Sequence, residues 1–228
     1  MNDSLNENAG KDTDRYPCLS TDRYTCCVFR RNDEMDTAEK ILNAALAEFY
    51  QNGFHASGVD QLSSKAGVTK RTLYRHFPSK ECLIDGVLQL RDEQFMERLQ
   101  AFVDAAPRPQ RPMAYLDFLE SWGKEADFHG CMFINAAAEY SAPTDPPHLA
   151  AIAHKERVLS YLGRICEEAE LADAGSLAGQ LFVIGEGLIV VMQVMGHSPL
   201  LISSTRQVFT QLIETARTAS PSECQLPP

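Results

Sequence analysis

Between Asp60 and Glu81 the chain carries no carboxylate, while Lys65, Lys70, Arg71, Arg75 and Lys80 all fall inside that interval. Fixed cations gathered in this way do two kinds of chemistry. An ammonium neutralises phosphate as a point charge, whereas a guanidinium presents a planar fork of donors that matches phosphate or the O6 and N7 edge of guanine. The rest of the 228-residue chain, with a formal charge of −10, makes the cluster stand out. Residues 1–35 hold five Lys/Arg against seven Asp/Glu, residues 36–80 six against four, and residues 81–228 ten against twenty. Only the middle block is positive. Its partner by charge is a polyanion, and the acidic remainder opposes indiscriminate coating of nucleic acid.

Helices are the elements that must position these cations. From Asp36 onward Ile41, Ala44, Ala45 and Phe49 form an apolar stripe ended by Gly53, which predicts a first helix. Ser57 is placed to cap a second helix through Ala66, with Val59, Leu62 and Ala66 inward, and Gly67 allows a sharp turn. Thr69 is placed to cap a third, short helix that Pro78 cuts off, and Ser79 to cap a fourth from Lys80 to about Asp104. On the third helix Leu73 and Phe77 share one side, Arg71 and Arg75 project nearly opposite, and Lys70 and Tyr74 form a neighbouring row. A capped helix, a glycine turn and a short helix with apolar residues inward and donors outward is the helix-turn-helix arrangement, whose second helix enters a major groove.

The stretch GVTKRTLYRHFPSKECL, residues 67–83, resembles the recognition helix and following boundary of the tetracycline-repressor (TetR) family, and Phe49, Gly53 and Phe54 sit where that family's first helix ends. The resemblance is specific over residues 36–85, with weaker echoes in GCMFINAAAEY and GEGL. It implies an all-α chain: a helix-turn-helix DNA-binding domain over 35–80 and a helical effector-binding and dimerisation domain over 81–219. It also implies base-edge contacts from Lys70, Arg71, Thr72 and Arg75, and phosphate contacts from Ser57, Thr69, Tyr74, His76 and Lys80. Gly58 stands where the family usually has Thr or Ser, so Ser57 is expected to take over that phosphate contact. The implied partner is a palindromic operator in double-stranded DNA bound by a homodimer, and the implied role is a repressor released by a small apolar or amphipathic effector.

Residues 1–34 and 220–228 show no helical period and are expected to be disordered; the former contain a short duplication, TDRYPC and TDRYTC, and ordered patterning directly after Met35 marks that residue as the expected natural start. AAPRPQRP reads as a linker before a helix opened by Pro112, followed by a short helix within 129–140 and longer ones over about 148–171, 176–195 and 205–216. LFVIGEGLIVVMQVM, residues 181–195, is apolar on more than one face, and Gly179, Val183 and Gly187 at four-residue spacing permit close helix approach, so a partner subunit is expected there. Glu186 and Gln193 interrupt this run, which stops short of a membrane span.

Tyr115, Phe118, Trp122, Phe128 and Phe133 are either plain core or the lining of an apolar pocket, with Trp122, Phe133 and Glu186 the named effector candidates. Glu186 needs a partner: an interface bond, an Arg, or a cationic or hydroxyl-bearing ligand. Cys131, after His129 and Gly130 near a helix start, is either an inert buried thiol or one activated by helix amides and an imidazolium, as in family members that sense oxidants or electrophiles. Seven cysteines with no C-x-x-C pair and no charged-then-apolar leader point to a reduced, cytoplasmic setting. His129, Cys131 and Glu186 are the one set an enzyme could use. No strand-to-helix elbow, phosphate loop or metal-ligand spacing accompanies them, so a non-enzyme with no cofactor and no metal is expected.

Overall fold

The computed structural model describes residues 32–219, with side chains from residue 36 onward; the expectations for the rest of 1–34 and for 220–228 lie outside the described residues. The described residues are helical without a strand: α1 (Asn32–Asn52), α2 (Val59–Lys65), α3 (Lys70–His76), α4 (Lys80–Asp104), α5 (Arg111–Gly123), α6 (Met132–Glu139), α7 (Pro146–Glu168), α8 (Ala174–Met195) and α9 (Pro199–Ala219). A 3-10 turn, Arg108–Gln110, occupies the linker between α4 and α5.

The first three helices close on Ile41, Ala45, Phe49, Phe54, Leu62, Leu73 and Phe77, all buried. Seven residues are too few to keep α3 helical alone. It is held by Leu73 against this core and by its cap, where Thr69 Oγ1 accepts the Thr72 amide at 3.1 Å. Truncating Leu73, which is fully enclosed, would cost about 2–5 kcal/mol. α4 carries the same core on beyond the head, where Phe95, Leu99 and Val103 join Tyr115, Phe118, Trp122, Phe133, Leu162, Leu181 and Ile189.

Several helix ends differ from the expectation. α1 begins at Asn32, inside the stretch read as non-helical. Gly58, not Ser57, is the N-cap of α2, and it has no side chain to accept a first-turn amide. α7 and α9 open at Pro146 and Pro199, earlier than the apolar stripes suggest, because proline fits the first turn of a helix as well as it ends one. α7 stops at Glu168, where Glu170 and Asp173 take left-handed backbone angles and the Ala172 amide bonds the Ala216 carbonyl of α9 at 3.1 Å.

Candidate functional site

The head offers fewer free cations than its sequence suggests. Lys65 lies 2.5 Å from the carboxylate of Glu48, which is fully buried and also accepts from Asn52 and Gln61. Lys65 is thereby tied to holding α1 against α2. Lys70 pairs with Asp60 at 2.5 Å, but both groups are exposed and screened, so that contact opens at small cost. Arg71, Tyr74 and Arg75 face solvent on α3; Thr72 and His76 are half-buried beside them, with one Arg75 guanidinium nitrogen 3.4 Å from His76 Nε2. The hydroxyls of Thr69 and Thr72 lie 2.9 Å apart at the start of this surface. Lys80 stands half-buried at the first turn of α4. Ser57 does not join the set. It is fully buried and its hydroxyl donates to the Gly53 carbonyl at 2.7 Å, so the geometry corrects the phosphate contact expected of it.

Behind the head, α6 clasps the end of α1 at two points. The Tyr50 hydroxyl accepts the His129 amide at 3.0 Å and donates to the Gly130 carbonyl at 2.9 Å. Nine residues after Gly130, Glu139 accepts the Phe54 and His55 amides at 2.9 and 2.6 Å and meets His55 Nδ1 at 2.8 Å. Burial would raise the Glu139 carboxyl, but those two amides and the His55 side chain hold it below its ordinary range. Gly53 is required here: its φ is +83°, and a Cβ on it would stand 2.8 Å from Glu139 Oε1.

At the other end of α6 lies a cluster of ionisable groups, with Cys131 and His154 buried and Asp92, Lys155 and Glu186 partly exposed. Cys131, the N-cap of α6, is 3% exposed, and the Lys155 ammonium is 3.3 Å from its sulfur. Lys155 in turn meets Glu186 at 2.5 Å, so the carboxylate interrupting the apolar helix has its partner on α7. His154, buried and stacked on Phe133 at 3.8 Å, bonds Asp92 through Nδ1 at 2.6 Å, which leaves its other nitrogen for Cys131; Asp92 is also paired with Arg157. Burial would push the Cys131 thiol up. The hydrogen bond from His154, the charges on Lys155 and His154, and a weaker pull from the Ile134 amide outweigh it and carry the thiol below its usual value. Burial likewise opposes the imidazolium, yet Asp92 and the thiol hold His154 above the ordinary histidine range.

The structure therefore gathers Cys131, Phe133 and Glu186, and Phe95 links them to Trp122, with ring centroids 5.1 Å from His154 and 5.3 Å from Trp122. His129 stays outside, exposed and edge-on to Tyr50, so the His129–Cys131–Glu186 set does not form. A separate open groove of about 390 Å³ between α5 and α9 is lined by Met113, Asp117, Ile213 and Arg217, and by none of the named effector residues.

Residues 41–87 match the profile of bacterial regulatory proteins of the TetR family. The solved structure of SCO4454, a TetR-family transcriptional regulator from Streptomyces coelicolor, superposes with a TM-score of 0.73 at 25% identity, over 79% of this chain and 96% of that one. The chain carries the TetR-family DNA-binding region over residues 41–87 and has the fold of a TetR-family regulator. The transcriptional regulator LmrA of Bacillus subtilis is 27% identical over 73% of this chain and 92% of its own length. The transcriptional activator FasR of Mycolicibacterium smegmatis is 33% identical over 40% of this chain and 45% of its own length.

The residues that sequence reasoning missed are those joining the two parts. His154 could have been found, since Ala151, His154, Val158, Tyr161 and Ile165 form one buried stripe of α7. Asp92, Lys155, Tyr50 and Glu139 carry no local signal, because their partners lie 24 to 85 residues away.

Proposed function

We propose that this chain is a sequence-specific transcriptional repressor of the cytoplasm, bound as a homodimer to a palindromic operator and released by a small effector. Its reading head spans residues 35–80 and its effector-binding and dimerisation part residues 81–219. The observation that carries the reading is α3: a capped helix anchored by Leu73, with Arg71, Tyr74 and Arg75 turned to solvent. Arg71, Arg75, Thr72 and Lys70 reach base edges, while Thr69, Tyr74, His76 and Lys80 grip phosphates. One such helix spans too few base pairs for selectivity, so a second copy is needed. The pairing surface is α8, where Gly179 and Gly187 leave open space and Val183 and Val194 are 68% and 76% exposed on the same face. Selection of bound duplexes from a random library tests this reading; a palindromic consensus is expected, and recovery of no enriched sequence at low ionic strength refutes it.

The 3.3 Å contact between Lys155 and Cys131 favours a second reading of the input: a thiol that senses oxidants or electrophiles, with Trp122, Phe133 and Glu186 enclosing it instead of lining a reversible ligand pocket. Treatment with hydrogen peroxide then releases DNA from the parent and not from Cys131→Ser. Equal persistence of both complexes refutes the sensor.

A further inference from the structure

The surroundings of Cys131 restrict what can reach its sulfur. At 3% exposure the residue is closed to anything much larger than water. Gln193 adds to the closure. Its side chain from α8 occupies the place where a Cβ on Gly130 would stand, and it donates to Asn135 Oδ1 at 3.2 Å, while the Asn135 amide bonds the Cys131 carbonyl. Gly130, with φ of +80°, lets the backbone pass beneath this bridge. Phe133 covers His154 from the other side.

Charge restricts entry as well. The Cys131 sulfur and the carboxylates of Asp92 and Glu186 each lie against a basic group of His154, Lys155 or Arg157, so the cluster's charges are paired with one another and none is left over to draw in an ion. A compact neutral reagent meets neither barrier.

We propose that Cys131 is a sulfenylation site selective for small, neutral two-electron oxidants of the hydrogen peroxide class, and closed to bulkier electrophiles. The proposal rests on the preceding reading of Cys131 as the input and names the reagent that input accepts. The thiolate sulfur attacks one peroxide oxygen. The S–O bond forms as the O–O bond breaks, sulfur loses two electrons to the peroxide, and the departing hydroxide takes the His154 proton to leave as water. The product, a sulfenic acid, lies against the Lys155 ammonium, which stabilises its anion. On slow local opening of the core an external thiol reverses the step, releasing water as it forms a mixed disulfide that a second thiol reduces.

The added oxygen sits at the N-cap of α6, one residue from the Gly130 carbonyl that receives Tyr50. α6 has no slack at its far end, where Glu139 holds the Phe54 and His55 amides at the base of the head. A shift of the N-cap is thus passed to the helix-turn-helix over one short rigid element.

The test exposes the folded full chain to hydrogen peroxide or to N-phenylmaleimide, removes the reagent, unfolds the chain in dimedone so that any sulfenic acid is trapped once the core is open, and assigns each adduct by peptide mapping. Peroxide is expected to give the dimedone adduct at Cys131, while the maleimide leaves Cys131 unmodified over the same interval and Gln193→Ala admits it. Absence of the adduct, or maleimide labelling of the parent as fast as peroxide oxidation, overturns the proposal. Affinity for a library-selected duplex is read on the same samples, with a roughly tenfold or greater loss on oxidation expected for the parent, restored by dithiothreitol and absent in Cys131→Ser. An adduct that forms with DNA affinity unchanged upholds the site's chemistry and refutes only its role as the input.

Discussion

Cys131 and Cys166 are buried almost equally, at 3% and 0% exposure, in the same core, yet their surroundings drive them in opposite directions. Around Cys166 there is only apolar packing and the charge of Glu167, and burial, the larger cause, pushes its thiol up to about 12. Around Cys131 the same burial is overcome by an imidazole, an ammonium and a helix amide. Burial alone therefore says nothing about a thiol's chemistry. The donors within reach decide it, and those donors are themselves held by Asp92 and Glu186.

The largest effect that follows is a difference in reactivity. At pH 7 the thiolate fraction of Cys166 is negligible, so hydrogen peroxide should oxidise Cys131 about a thousandfold faster or more, measured by peptide mapping over time. The pH profiles should differ in kind. The Cys131 rate levels off at a pH below the ordinary thiol range, whereas the Cys166 rate rises tenfold per pH unit throughout the alkaline range toward 12. Equal rates, or parallel profiles, would break the comparison.

The head repeats the contrast with cations. Lys65 is occupied by the buried Glu48, and Arg71 is unpaired in its environment and faces outward. Arg71→Ala should cost about 1–3 kcal/mol of discrimination between the selected site and a point-mutated one, with the melting temperature unchanged. Lys65→Ala should do the reverse: it leaves Glu48 short of a partner at a cost of about 1–3 kcal/mol in chemical denaturation, with base preference intact. A loss of base preference in Lys65→Ala would show that it reads DNA after all.

How far these contrasts were legible in the sequence depends on distance along the chain. The all-helical fold, the Thr69 cap, the inward Leu73 and Phe77 and the outward arginines follow from spacings of three and four residues, which one helix turn enforces. That Gly179, Val183 and Gly187 share one face of α8 was legible for the same reason. Ser57 misled because capping propensity names the residue type, while the backbone around Gly53 decides which way the hydroxyl turns. The neighbours of Cys131 were hidden: His154 and Asp92 are 62 residues apart, and only packing of α4 against α7 brings them together. Glu139 and Tyr50 were hidden likewise, so the sequence suggested two parts and not the clasp between them.

Asp92 offers a finer test of the thiol contrast. Its own carboxyl is held down against burial by His154 and Arg157, and in return it keeps the imidazole protonated beside Cys131. Asp92→Asn removes that charge, so the folded-state pKa of His154 falls, less imidazolium stands beside the sulfur, and the thiol pKa rises. The peroxide rate at pH 7 should drop about tenfold in this variant and recover at higher pH, while Cys166 is unaffected. A rate unchanged by the substitution would mean that Lys155 alone activates the thiol.

The smallest expected effect concerns Lys80, half-buried at the start of α4 and assigned here to phosphate. A phosphate contact releases a counterion and reads no base, so Lys80→Ala should weaken every duplex by a similar factor and reduce the slope of log affinity against log salt by about 1. Arg71→Ala, by contrast, should lose most on the preferred site. Filter-binding or anisotropy titrations on one selected and one scrambled duplex across a salt series separate the two. If Lys80→Ala changes base preference and leaves the salt slope intact, the division of the head into residues that position and residues that read is drawn in the wrong place.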